Sequence, residues 1–214
     1  MVQCPSCARR CEPRLTCPAC GAPLGVELDC FAALGLPRKL TLDPHALERI
    51  YHEAGRQIHP DRFAAAPPAL RRASLNSTAL LTRSYRTLRD PVARGRYWLE
   101  LMGEKLAENN KQVPLDLAEL VFEVQEQLGE LREKTNGVGA RVAVSVRERR
   151  AELGESLRRA RAELERNFAR WDGGEGERGD LVRELKDILS RIAYLTTLTR
   201  DVDRALESAA PAAH

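Results

Sequence analysis

The sequence predicts an all-α protein, and three observations carry that prediction. Aromatic residues make up only 5% of the 214 positions, which favours helices packed through Leu, Val and Ala over a sheet-rich fold. Apolar residues recur at spacings of three and four through most of the chain. Asp-Pro pairs and glycines fall where helices would start and stop. The predicted order is a four-cysteine segment over residues 1–24, a helical hairpin with short flanking helices over 25–103, a polar linker over 104–113 and an antiparallel three-helix bundle over 114–208. A disordered tail is predicted over 209–214.

The totals narrow the function. Charged residues are 30% and hydrophobic ones 43%, a soluble globular balance. The 34 basic side chains nearly cancel the 31 acidic ones, leaving +3. A nucleic-acid binder more often carries a concentrated basic surplus. No run of about 18 apolar residues exists, so no membrane span is expected. No apolar signal segment is read at the N-terminus, and a cytoplasmic protein is expected.

The first motif is a repeated Cys-Pro-x-Cys: Cys4-Pro5-Ser6-Cys7 and Cys17-Pro18-Ala19-Cys20. Each pair can grip one cation with two thiolates, and four thiolates complete a tetrahedron around a structural zinc. With all four positions filled by protein, no open catalytic position is expected. Gly21 follows the second pair and can take positive φ, whereas Ala8 stands at that place after the first. Disulfides, free thiols or an iron–sulfur cluster are the alternatives. Cys11 could compete as a ligand but lacks a partner at the right spacing, and Cys30 reads as a small core residue. The segment is too short to bury a core, so metal would supply its folding energy. Arg9, Arg10 and Arg14 read as a solvated loop.

Asp29 caps a short predicted helix through Leu34, stopped by Gly35. Asp43-Pro44 starts the next, with an apolar stripe at Leu47, Ile50, Tyr51, Ala54 and Ile58. Pro60 disfavours helical geometry at His59, so that helix should end there. A second rod runs from about Leu70 to Leu88, its stripe rich in small residues such as Ala73, Ser77 and Ser84. Asp90-Pro91 opens a fourth helix that Gly103 ends. His59-Pro60-Asp61-Arg62-Phe63 therefore sits at the tip of a helical hairpin. A catalytic His–Asp pair is discounted, because no nucleophile, phosphate loop or metal cluster accompanies it.

At these residues the sequence resembles the J-domain family. The likeness rests on His59-Pro60-Asp61 between two antiparallel helices, the preceding Asp29-Cys30-Phe31, and Tyr85-Arg86-Thr87-Leu88 followed by Asp90-Pro91. Tyr97-Trp98-Leu99 and Met102-Gly103 narrow the resemblance to the iron–sulfur cluster co-chaperones of the HscB family. The four-cysteine segment is similar to the zinc-bearing members of that family. Thr82 and Ser84 depart from the usual Asn and Ala, and Cys30 from the usual aromatic. The resemblance implies docking on an ATP-bound DnaK-type, HscA-like chaperone and stimulation of its ATP hydrolysis, with no catalysis by this chain itself. His59, Pro60 and Asp61 would enter the chaperone, Asp61 pairing with an arginine. Arg49, Arg56 and Arg62 would meet an acidic surface and speed encounter.

The C-terminal half carries three amphipathic stretches. Leu115-Asp116 begins the first, with Leu117, Leu120, Val121, Val124, Leu128 and Leu131. Gly137-Val138-Gly139 breaks it. The second keeps Val142, Val146, Leu153, Leu157, Leu164, Phe168 and Trp171 on one stripe. After a loop at 173–179, Asp180 caps the third, which carries Leu181, Leu185, Ile188, Ile192, Leu195, Leu198, Val202 and Leu206 and frays from Ser208. The resemblance implies that this bundle recruits an IscU-like iron–sulfur scaffold protein through Val121, Phe122, Gln125, Glu126 and Tyr194. Gln125 stands where an apolar residue is usual. Phe122 and Tyr194 fall off the core stripes, which independently marks them as contacts; packing against the hairpin half is the alternative. A homodimer is a further possibility. The competing function is a zinc-knuckle nucleic-acid binder with a helical dimerisation arm, and a general holdase is a third.

Overall fold

In the computed structural model, proline starts every long helix of the N-terminal half. The structure describes residues 1–104, 106, 117–133 and 139–209. Two compact units divide the chain, Met1–Met102 and Gly103–His214.

In the first unit, two short strands, β1 (Val2–Gln3) and β2 (Arg10–Cys11), pair antiparallel, with Val2 opposite Cys11. The sequence reading has no strands. They form because the first cysteine turn reverses the chain and brings its flanks together. Helix α1 spans Cys30–Ala33, and Asp29 caps it by accepting from the Ala32 N–H. Helix α2 spans Pro44–Ile58, its Asp43 cap accepting from His45 N–H at 2.9 Å. A single 3-10 turn follows over Pro60–Phe63. Helix α3 spans Pro68–Arg89 and α4 spans Pro91–Leu101, the latter capped by Asp90. Proline at the first helical position forfeits an N–H that has no partner there anyway.

Ile58 meets Ser74, and Tyr51 stacks on Tyr85 with ring centroids 4.2 Å apart. Helices α2 and α3 therefore run antiparallel. Phe31, Leu40, Leu47, Ile58, Leu81, Leu88 and Leu99 fill the core, with the Trp98 and Phe31 rings nearly perpendicular. Arg94 is buried as well, and its guanidinium donates to the Leu88 carbonyl at 2.7 Å. That bond satisfies a carbonyl the end of α3 would leave open.

The second unit holds α5 (Ala118–Glu133), α6 (Gly139–Gly173) and α7 (Arg178–Ala209). Arg149 of α6 pairs with Glu123 of α5, and Arg150 pairs with Asp203 of α7. Val124, Leu128, Leu153, Leu164, Phe168, Leu185, Leu195 and Val202 are buried, and so are Ala160, Val182 and Leu189, which the apolar stripes omit. Asn167 is also fully buried, with its Nδ2 donating to the Leu181 carbonyl at 3.2 Å.

Two boundaries differ from the sequence reading. Asp180 is not the cap of α7: the helix starts at Arg178, and the Glu177 carbonyl takes the N–H of both Asp180 and Leu181. Asp180 lies in the first turn and pairs with Arg183. At the other end, α7 continues through Ser208 to Ala209. Most of the expected linker, the helix start at Leu115-Asp116, the break at Gly137-Val138 and residues 210–214 lie outside the described residues. Among the described residues, no helix is long and apolar enough to cross a membrane.

Candidate functional site

The hairpin tip is built by satisfying the end of α2. The last carbonyls of a helix lack intrahelical partners. Here the Ile58 carbonyl accepts from Ser74 Oγ at 2.6 Å and from Thr78 Oγ1 at 3.4 Å, both on α3. The Arg56 carbonyl accepts from the Arg62 guanidinium at 3.1 Å. His59 is extended at φ −56°, ψ 133°, as the residue before proline should be. Pro60 then starts the 3-10 turn, whose Arg62 N–H donates to the His59 carbonyl at 3.0 Å.

The polar tip faces water. The side chain of His59 is 55% exposed and that of Asp61 is 90% exposed. His59 Nδ1 accepts the Asp61 backbone N–H at 3.3 Å, and Asp61 Oδ2 lies 3.4 Å from the same nitrogen. The Asp61 carboxylate, 90% exposed, is open to an outside donor. Arg49, Arg56 and Arg62 are exposed, as the sequence reading expects, although Arg62 spends one N–H on the α2 terminus.

The cysteine pairs form two copies of one turn. In the first, Cys4 N–H donates to Arg9 O, and Ala8 N–H donates to Cys4 O. In the second, Cys17 N–H donates to Ala22 O, and Gly21 N–H donates to Cys17 O. Ala8 adopts φ 58°, the left-handed conformation that Gly21 holds at 72°. Cys4 Sγ lies 3.6 Å from Cys20 Sγ, and Cys7 Sγ lies 3.8 Å from Cys17 Sγ. All four sulfurs lie within 4.8 Å of one another. Ser6 and Cys7 N–H point at Cys4 Sγ. The Ala19 N–H leads in bringing the Cys17 thiol down to about 6, helped by the Cys20 N–H and by the Cys4 and Cys20 thiols against desolvation. The N–H groups favour anionic sulfur at Cys4 and Cys17, whereas at Cys7 the Arg9 N–H pulls down but burial and the neighbouring thiols together push the thiol up to about 11. Four converging sulfurs of this kind could hold a metal ion, whose charge would relieve the crowding. Cys11 is buried behind them and lies outside the ligand cluster.

On α5, Phe122 is 71% exposed, and Gln125 and Glu126 beside it are exposed. Val121 leaves the expected patch: it is 8% exposed and belongs to the bundle core. Tyr194 on α7 is half-buried, and burial pushes its phenol pKa up.

No protein-family model matches the chain. Among curated proteins it is similar to the co-chaperone protein HscB homologue of Bordetella petrii, 36% identical over 131 residues, which are 60% of this chain and 76% of the relative. The chain belongs to the HscB co-chaperone family. The HscB homologue of Chromobacterium violaceum is 32% identical over 133 residues, with the same 60% and 76% coverage. Among solved structures, human co-chaperone protein HscB superposes with a TM-score of 0.69 at 20% identity, over 94% of this chain and 97% of that one. Chaperone HscB from Vibrio cholerae gives 0.61 at 21% identity, over 85% and 99%. At such identities the two structures show the fold alone.

Sequence reasoning missed the residues that hold the tip. Ser74, Thr78 and the Arg62 guanidinium bind the open carbonyls of α2. The available signal was a hydroxyl residue on the core side of a helix, where alanine would pack as well. Ser77 shows the same signal and accepts the Gly25 N–H at 3.1 Å.

Proposed function

We propose that this chain is an adaptor, not a catalyst, which couples an iron–sulfur scaffold protein to a DnaK-type, HscA-like chaperone and stimulates that chaperone's ATP hydrolysis. The observation that carries it is the exposed His59-Pro60-Asp61 tip held by the buried Ser74 hydroxyl and the half-buried Thr78 hydroxyl of the opposite helix. Pro60 removes conformational choice from the loop. Asp61 presents a carboxylate that gains strength on desolvation against an arginine. His59 orients the turn by accepting the Asp61 N–H.

Charge supports the docking direction. Residues 1–102 carry fifteen Lys and Arg against nine Asp and Glu, a surplus of six. Residues 103–214 carry nineteen against twenty-two, a deficit of three. A basic hairpin unit steers toward an acidic chaperone surface, mainly raising the encounter rate. On the bundle, Phe122, Gln125 and Glu126, with Tyr194, would receive an IscU-like scaffold.

Zinc is the metal that the four-thiolate set suits. A Zn–S bond of about 2.3 Å puts tetrahedral sulfurs about 3.8 Å apart, close to the 3.6 Å of Cys4–Cys20 and the 3.8 Å of Cys7–Cys17. Cys4, Cys7, Cys17 and Cys20 would hold it, and it would supply cross-linking and folding energy with no open position for substrate.

The deciding experiment is a steady-state ATPase assay with a purified DnaK-type chaperone, with and without a scaffold protein. Asp61→Asn and His59→Gln should each abolish stimulation while leaving the far-ultraviolet helical signal unchanged. Normal stimulation by either variant would remove the tip from this function. Metal analysis should find one zinc per chain, and iron in its place would overturn that assignment.

A further inference from the structure

The metal segment grips the same two turns of α3 that hold the tip. Cys4, Cys11, Cys17, Ala22 and Leu24 form an apolar cluster, and Val26 and Leu70 pack against it. Gly25 follows at φ +66°, where a Cβ would meet Ala73 Cα at 2.6 Å. Its backbone therefore lies directly on α3, and its N–H donates to Ser77 Oγ. Ser74 and Thr78, one residue further on, hold the Ile58 carbonyl. One side of residues 70–78 binds the metal segment, and the neighbouring side binds the end of α2.

These turns of α3 have little support of their own. The N-cap is Pro67, which makes no side-chain cap bond, and the first turn has no acidic residue. Arg71 and Arg72 stand near that end, where positive charge opposes the helix dipole. The exposed Glu27–Arg83 pair adds little. Contact with residues 22–26 supports these turns from one side, while α2 and the 3-10 turn pack on the other and Arg71 donates to the Ala64 carbonyl.

We propose that the metal segment is a positioning element for the tip. With its four thiolates on a metal, it clamps Leu70, Ala73 and Ser77, and so fixes where Ser74 and Thr78 hold Ile58. The functional consequence rests on the reading of the tip as a chaperone contact; the structural coupling does not.

The test is an amide NMR comparison of the full chain before and after metal removal by a chelator. Shifts should change at residues 70–78 and at His59, Asp61 and Arg62, as well as in the cysteine turns. Changes confined to residues 1–26 would overturn the proposal. Ser77→Ala, kept metal-loaded, should retain its metal and maximal ATPase stimulation. It should raise the concentration for half-maximal stimulation about fivefold, the low end for coupled sites. Should chelation unfold the whole first unit, this variant decides: unchanged tip shifts would sink the idea. In Gly25→Ala the clamp is already broken, so chelation should move the tip no further. Normal stimulation by His59→Gln would remove the chaperone reading alone, leaving the shift comparison to judge the clamp.

Discussion

The hairpin tip and the Phe122 face expose their side chains by opposite means. At the tip the backbone itself is special: an extended residue, a proline, a 3-10 turn and carbonyls held by Ser74, Thr78 and Arg62. At Phe122 the backbone is ordinary α-helix, and only the direction of one side chain distinguishes it. A site made from backbone conformation depends on the residues behind it, such as Ser74 and Thr78, as much as on those it presents. A site made from a helix face depends almost wholly on those that do.

The contrast can be broken by substitution. Phe122→Ala should weaken scaffold binding by about 2 kcal/mol, roughly thirtyfold in Kd, measured by calorimetry. Its unfolding free energy should move by less than about 0.5 kcal/mol, as for other surface changes. An unchanged dissociation constant would remove the patch. Ser74→Ala should do the reverse, costing about 1–2 kcal/mol of stability by stripping a buried carbonyl of its better donor, with scaffold affinity untouched. Equal stability in urea unfolding would mean that Thr78 alone suffices.

Two smaller effects sharpen the same point. Ser84 is fully buried, and its hydroxyl has no hydrogen-bond partner among the described residues. Ser84→Ala should therefore stabilise the first unit by about 1 kcal/mol, the desolvation penalty of an unpaired group. Ala8→Gly should raise the unfolding temperature of the metal-loaded segment slightly, gaining about 0.5 kcal/mol once the glycine's greater unfolded freedom is subtracted. A loss there would mean that the Ala8 methyl matters to packing.

Much of the molecule was legible because its punctuation is covalent. Asp43-Pro44 and Asp90-Pro91 start helices where the ring and the carboxylate dictate, and Pro60 ends α2 in the same way. The cysteine spacing announced the sulfur cluster. Periodicity could not reveal Arg94, since a charged residue enters the core only if a specific carbonyl awaits it, and that carbonyl lies six residues away. Asp180 misled because glycine-rich sequence reads as loop, yet Gly179 is tolerated in the first turn of α7, where the Glu177 carbonyl accepts the N–H of Asp180 and of Leu181. Val121 was drawn into the patch by likeness to relatives, although its place on the apolar stripe already put it inside.

The buried amide of Asn167 has a consequence for assembly of the long α6–α7 pair. Rows of leucine are nearly degenerate under a slide of one helical turn, about 5.4 Å, because each side chain finds another of similar shape. Sliding by a turn has to carry a buried amide past apolar side chains, because Asn167 Nδ2 must leave the Leu181 carbonyl before the next one comes within reach. The polar contact thus raises the barrier between registers, while the short connection between Gly173 and Arg178 limits how far the two greasy rods can slip.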